Sequence, residues 1–211
     1  MAYPAKNAYQ DELIAKDYDR ARFSTIRGKI EDRLEKRAIA KALQLIGRQE
    51  LIADVACGTG RITDFLASLQ SRVLGGDISL PMIMAARQRL TGSANVLGFA
   101  QFSAESCPFR DKTFDVVVSI RLFGHLPPRV RCNVLKEMKR ISRRYVVASF
   151  ADKYTVRAFF RRRIQKIPMW FQVSEKELLA ELEDLGMAVR KTFPIVRYFS
   201  ETKIYVIDSR D

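Results

Sequence analysis

The run LIADVACGTGRITDFL, Leu51 to Leu66, constrains this chain more than any other stretch. A compact apolar segment, read as a buried strand over 51–57, carries an acid at Asp54. A Gly-x-Gly turn follows at Gly58 and Gly60, and RITDFLASL then has the spacing of an amphipathic helix. Glycine permits the sharp turn and lets a ligand approach the backbone. A helix start behind the turn offers free N–H groups and the positive end of a dipole. The dinucleotide fingerprint needs a third glycine at position 63, where Thr63 stands, and the G-K-[ST] of a P-loop is missing. Neither a pyrophosphate nor a triphosphate is therefore the natural guest. Taken alone, such a turn is also compatible with simple packing.

What surrounds the turn narrows the choice. RVLGGDIS predicts a second strand closing on Asp77, 17 residues after Gly60. A carboxylate there can accept both hydroxyls of a ribose. The competing reading is a helix N-cap, because DIS precedes the helical LPMIMAARQRL. NVLGFAQFSA, FDVVVSI and RYVVASF read as the third, fourth and fifth strands, with a helix over PPRVRCNVLKEMKRIS. SEKELLAELEDLG predicts a late helix, with Ser174 as N-cap, Glu177 completing a capping box and Gly186 ending it. MAVRKTFPIV and TKIYVIDS read as two final strands, antiparallel because only a short turn separates them. Ahead of everything, ELIAKDYDRAR and KIEDRLEKRAIAKALQLI read as two helices. Alternating strands and helices argue for a mainly parallel sheet covered on both faces. Ligands bind such sheets beyond the carboxyl ends of the strands, near the switch in strand order.

The bulk numbers fit one soluble domain. The chain has 211 residues, 47% of them hydrophobic and 29% charged. No run reaches the ~18 apolar residues of a membrane span. The first twenty residues are polar and lack the apolar core of a secretory signal. Cys57, Cys107 and Cys132 are far apart and odd in number, so neither a disulfide framework nor a zinc site is expected, and a cytoplasmic location fits. The net charge of +13 is concentrated: Arg121 to Ser174 holds 14 Lys/Arg against Glu137 and Asp152. A charge gathered in one segment points to an anionic partner there.

In order and spacing these motifs resemble the class I S-adenosylmethionine-dependent methyltransferases, of the sort typified by the ubiquinone/menaquinone-biosynthesis C-methyltransferases. DVACGTG resembles that family's glycine-rich first motif, GGDIS its ribose-binding acid and SAESCPF its adenine-contacting loop. FDVVVSIRLFGHL resembles the fourth motif, and SEKELLAELEDLGM the late helix before the final hairpin. The resemblance covers roughly residues 10–208. It implies a Rossmann-like, doubly wound, seven-stranded and mostly parallel sheet with an antiparallel C-terminal hairpin and N-terminal lid helices. Within one methyltransferase domain, residues 1–48 would form the lid, 49–151 the cofactor-binding core, 152–174 a basic and aromatic insert on the substrate side, and 175–211 the last helix and hairpin.

The cofactor implied is S-adenosyl-L-methionine. By the resemblance, Asp54 would hold the glycine loop and assist the cofactor's amino group. Ala56, Gly58 and Gly60 would leave room for the methionine portion. Asp77 would take the ribose hydroxyls, with Ile78 and Met82 packing on the adenine and Ala104 offering it a backbone N–H. Ile120 and Arg121 would lie along the methionine and face the transferred methyl. Tyr18 and Arg27 are the lid candidates, Arg27 for the cofactor's carboxylate. Two departures stand out. Ala56 replaces the first glycine of the usual turn, and Ser103 replaces an acid that often accepts from the adenine amino group. Ser103 itself or the neighbouring Glu105 would have to serve.

Three features stay open on the sequence. His125, the only histidine, is either a general base for an oxygen or nitrogen nucleophile or a structural residue after the fourth strand. Arg121 pairs either with an anionic substrate group or with a nearby carboxylate. Lys153 to Ser174 has six basic residues, no acid, and the aromatics Phe159, Phe160, Trp170 and Phe171. It reads as a lid over an apolar substrate, as an anchor on an anionic membrane surface, as a nucleic-acid groove, or as a solvated basic face. With no RNA-binding motif or domain in view, nucleic acid is the weakest partner. The expected activity is methyl transfer to a small-molecule or lipid-linked, anionic acceptor. The alternatives are an RNA methyltransferase using the basic segment and a non-catalytic binding module of the same fold.

Overall fold

The computed structural model describes residues 23–154, 171–195 and 202–210. The expected helix over ELIAKDYDRAR, Tyr18, and most of the basic insert lie outside the described residues. The rest alternates as predicted. Helix α1 (Ile26–Ile46) leads to β1 (Leu51–Val55), α2 (Arg61–Ser68), β2 (Arg72–Asp77), α3 (Leu80–Arg89), β3 (Val96–Gln101) and β4 (Phe114–Ser119). A single 3-10 turn (Phe123–His125) follows, then α4 (Pro128–Ile141), β5 (Ser142–Ala151), α5 (Glu175–Asp184), β6 (Ala188–Pro194) and β7 (Thr202–Asp208).

The seven strands form one sheet in the order β3-β2-β1-β4-β5-β7-β6. The first five strands pair in parallel, and β7 runs antiparallel between β5 and β6. The expected hairpin is therefore present, and β7 also inserts itself beside β5. The strand order reverses between β1 and β4, which places the switch point just beyond Val55 and Ser119.

Central strands bury both faces, so they carry apolar residues without alternation. In β4, Val117 faces one core while Val116 and Val118 face the other. On the first side α4 contributes Val134, Leu135 and Met138, and α5 contributes Leu178 and Leu182. On the second, Ala38, Ile39, Ala42 and Leu43 of α1 and Ile62 and Leu66 of α2 cover the sheet.

Most strands end a residue or two short of their predicted limits, β1 at Val55 where 57 is expected, and two differ for a visible reason. β5 begins at Ser142 because α4 ends directly into it, with Ser142 pairing to Phe114. β3 stops at Gln101 because the chain then curls, bridging Ser103 to Ser106.

The fold also redistributes the charge that the sequence had gathered. Arg121 pairs with Glu35, Arg131 with Glu181, Arg140 with Glu137 and Asp111, Arg143 with Asp115, and Lys153 with Glu177. Lys139 donates to the carbonyls of Leu185 and Gly186 at the end of α5. Much of the described part of the basic segment is thus matched by acids from elsewhere in the chain.

Helix α5 starts as its sequence requires. The Ser174 hydroxyl accepts from the Glu177 N–H at 3.2 Å, and the Glu177 carboxylate accepts from the Ser174 N–H at 2.8 Å. Ser174→Ala should cost about 1 kcal/mol, read as a lower urea midpoint with an unchanged m-value.

Candidate functional site

A cleft opens across the carboxyl ends of β3, β2, β1 and β4, where a sheet of this topology binds ligands. It holds about 1060 Å³ of space not filled by atoms, its open mouth included. The glycine turn forms its floor. Ala56 (φ 63°), Gly58 (φ 55°) and Gly60 (φ 77°) all take left-handed backbone. The turn is pinned by the Cys57 N–H donating to the Gly76 carbonyl at 3.0 Å.

The two glycines do different work. Gly58 lines the cleft, and a Cβ there would meet nothing within 4 Å, so its left-handed backbone rather than crowding calls for glycine. A Cβ at Gly60 would lie 3.1 Å from both Ala86 and Leu90, so that glycine lets α2 approach α3. Gly60 is not in the cleft wall. Ala56 holds a conformation that costs an L-residue about 1–2 kcal/mol. Cys57 is buried, and burial pushes its thiol well above the ordinary range, which makes it a packed thiol.

Asp77 organises the next wall. One carboxylate oxygen accepts from the Gly58 N–H and the other from the Ser79 N–H, each at 2.9 Å. The N-cap of α3 is Ser79, whose hydroxyl accepts from Met82. Asp77 is therefore spared the capping role. Burial raises its carboxyl, opposed by the N–H donors of Ser79, Gly58 and Ile78. A carboxylate oxygen has more than one acceptor site, so each retains capacity for a hydroxyl donor.

Asp54 lies beneath the turn, 1% exposed, and accepts from the Thr63 hydroxyl at 2.6 Å. Thr63 stands where the dinucleotide fingerprint would need glycine; its hydroxyl anchors the acid instead. Burial pushes the Asp54 carboxyl up to about 6, against the pull of Thr63 and of the Arg61 charge.

Ile78, Met82, Phe102, Ser103 and Ala104 continue the wall on the β2 and β3 side. The Ser103 hydroxyl accepts from the Glu105 N–H at 3.3 Å, and Glu105 lies outside the lining. The opposite wall is Ile120, Arg121, Leu122 and His125, which follow β4, together with Phe23.

The wall near Phe23 rests on a charge cluster. Glu35 of α1 is fully buried, yet accepts from Arg61 at 2.6 Å and from Arg121 at 2.8 Å. Arg61 also pairs with Asp32. The Phe23 ring lies 4.4 Å from the Arg61 guanidinium carbon and 5.4 Å from that of Arg121, within cation–π range. Arg121 itself has φ 66°, with its N–H donated to the Ser149 hydroxyl at 2.6 Å. Arg121 pairs with the nearby carboxylate of Glu35 and at the same time lines the cleft. Arg27 is exposed, pairs with Glu31 and does not reach the cleft.

The structure thus gathers Asp54, Ala56, Gly58, Asp77, Ile78, Met82, Ser103, Ala104, Ile120, Arg121 and His125 in one cleft. It adds Phe23, Arg61, Phe102 and Leu122 to the lining, with Glu35 and Thr63 behind them. Thr63 left a trace in the sequence as the failed third glycine. Glu35 left none, because an acid among the many charges of α1 has no local mark of burial.

Residues 52–144 match the methyltransferase domain family. The chain is 29% identical over 149 residues to a demethylmenaquinone methyltransferase of Clavibacter sepedonicus, covering 70% of this chain and 59% of the relative. It is 31% identical over 112 residues to a probable tRNA methyltransferase 9B of Bos taurus, covering 51% of this chain and 23% of the relative. It thus spans less than two thirds of either relative. The magnesium protoporphyrin IX methyltransferase of Synechocystis PCC 6803, solved with bound SAH, superposes with a TM-score of 0.74 at 19% identity, over 94% of this chain and 99% of that one. Over residues 52–144 the chain is thus similar to the methyltransferase domain family, and its sheet order and turn give it the fold of the Synechocystis methyltransferase.

Two measurements test the cluster and the buried acid. Glu35→Ala leaves two guanidiniums without their buried partner and should destabilise the protein by about 3–5 kcal/mol in urea denaturation. Asp54 holds a proton in the folded protein that the unfolded chain has already released between about pH 4 and 6. Stability of the ligand-free protein should therefore fall as pH rises through that window, by an amount on the order of 3 kcal/mol. Asp54→Asn should flatten this part of the profile; an unchanged slope would assign the titration to another group.

Proposed function

We propose that this protein transfers the methyl group of S-adenosylmethionine to a small-molecule or lipid-linked acceptor. The observation that carries the reading is the Asp77 carboxylate, tied to the glycine turn through Gly58 and still able to accept from the diol of a ribose. Gly58 supports it, since it lines the cleft and a Cβ there would meet nothing within 4 Å. In this reading adenine lies by Ile78, Met82, Phe102 and the Ser103–Ala104 backbone. The methionine portion lies over Ala56 and Gly58, above Asp54.

When bound, this cofactor supplies a sulfonium methyl that is already activated. The chain's own task is then to align an acceptor and exclude water, and alignment can supply most of the acceleration. Ile120 and Leu122 offer apolar contact on the acceptor side. Arg121, held by Glu35 and Ser149, adds a fixed positive charge that favours an anionic acceptor. His125 can take a proton from an oxygen or nitrogen nucleophile. The quinone-type activity in the Clavibacter relative's name supports a small or lipid-linked acceptor, as does the largely apolar lining. The bovine relative's name supports RNA as a second reading, which predicts RNA affinity that falls steeply with salt.

Asp77→Ala should weaken binding of S-adenosylhomocysteine by about a hundredfold or more, since hydrogen bonds to a charged group are worth about 1.5–3 kcal/mol each. Titration calorimetry reads the affinity and circular dichroism confirms the fold. Undiminished binding would overturn the role given to Asp77.

A further inference from the structure

The two faces of α1 are chemically opposite. Its inner face buries Glu35, Ala38, Ile39, Ala42 and Leu43. At 3.6 residues per turn, Ile26, Ile30, Arg33, Arg37, Lys41 and Gln44 fall within roughly a quarter of the circumference on the outer side. All six are exposed, and this stripe holds no acid. Arg33, Arg37 and Lys41 make no ion pair among the described residues. The contrast with Arg121, Arg131, Arg140, Arg143 and Lys153 is direct, because among the described residues the fold supplies those cations with carboxylates and gives these none.

The apolar part of the stripe is equally specific. Ile26 is 81% exposed and Ile30, one turn on, 54%. They sit at the end of α1 that begins just after Phe23, which lines the cleft. Two exposed aliphatic residues followed by three cations along the same line complement an anionic lipid surface, where apolar side chains enter the boundary and cations are drawn to the headgroups. A single-stranded nucleic acid would call for aromatic residues on which bases stack, and the stripe has none.

We propose that the outer face of α1 docks on an anionic phospholipid bilayer, with Ile26 and Ile30 entering the headgroup boundary and Arg33, Arg37 and Lys41 meeting lipid phosphates. Docking in this way sets the N-terminal end of α1, beside the cleft-lining Phe23, at the membrane surface. The inference deepens the lipid-linked reading of the acceptor and rests on it for its purpose, but the docking is measured without any methyl transfer.

The test is sedimentation of the full chain with phosphatidylcholine vesicles, with and without phosphatidylglycerol. The wild type should partition onto the anionic vesicles only, and less so as salt is raised. Each cation near an anionic surface contributes about a fivefold gain, so Arg33→Gln/Arg37→Gln/Lys41→Gln should lose about a hundredfold. Ile26→Ser/Ile30→Ser should lose about tenfold or more and keep the salt dependence. Both variants should bind S-adenosylhomocysteine as the wild type does. Equal partition onto neutral vesicles, full retention by the triple variant, or tighter binding to single-stranded RNA than to anionic vesicles would overturn the docking face. A wild type that binds vesicles but not S-adenosylhomocysteine would overturn the methyltransferase reading and leave the docking face standing.

Discussion

A carboxylate with no exposure to water must be neutralised, and around Glu35 that requirement ties three distant parts of the chain together. The acid comes from α1, Arg61 from the first turn of the helix behind the glycine loop, and Arg121 from the end of β4. Removing one member would leave the others charged and dry, a worse outcome than never burying them. The cluster therefore fixes α1 to the glycine-turn floor of the cleft and to its β4 wall. It also holds Arg121, whose left-handed backbone would otherwise relax. The apolar core makes the sheet, while this cluster decides where the mouth of the cleft lies.

Charge shows how sequence and space diverge. Along the chain, cations gather from Arg121 to Ser174 and acids lie elsewhere. In the fold, Glu181, Asp111, Asp115 and Glu177 come across to meet many of them. A linear excess is a statement about covalent neighbours, whereas a field is set by spatial ones. The outer side of α1 shows the reverse. Its mixed composition hides a stripe of one sign, because the acids of that helix, Glu31, Asp32 and Glu35, turn away from it.

Legibility followed the range of the interactions involved. The strands, the turn after β1, and the capping box of Ser174 and Glu177 depend on neighbours within a few residues, and local pattern exposed them. Asp77 was legible as a cleft residue because its place at a strand end is a matter of topology. Its freedom from capping was not, since that depends on Ser79 taking the task. Glu35 and Arg121 are 86 residues apart, and no spacing rule reaches that far. The motif comparison that drew Gly60 into the cleft likewise could not see that Ala86 and Leu90 press on it from α3. Arg27 has the right charge for a carboxylate, but its turn of the helix points it outward.

The packing of α1 also carries a consequence for the order of assembly. Ala38, Ile39, Ala42 and Leu43 share a core with Ile204 and Val206 of β7, so the first described helix rests on the last strand. The glycine turn and Asp77, by contrast, lie within a few tens of residues of each other. During synthesis the floor of the cleft can form from contiguous chain, while α1 lacks much of its seat until residues 202–208 have emerged. Contacts of such long range slow folding. The half of the cleft assigned to the cofactor would then be in place before the half assigned to the acceptor is closed.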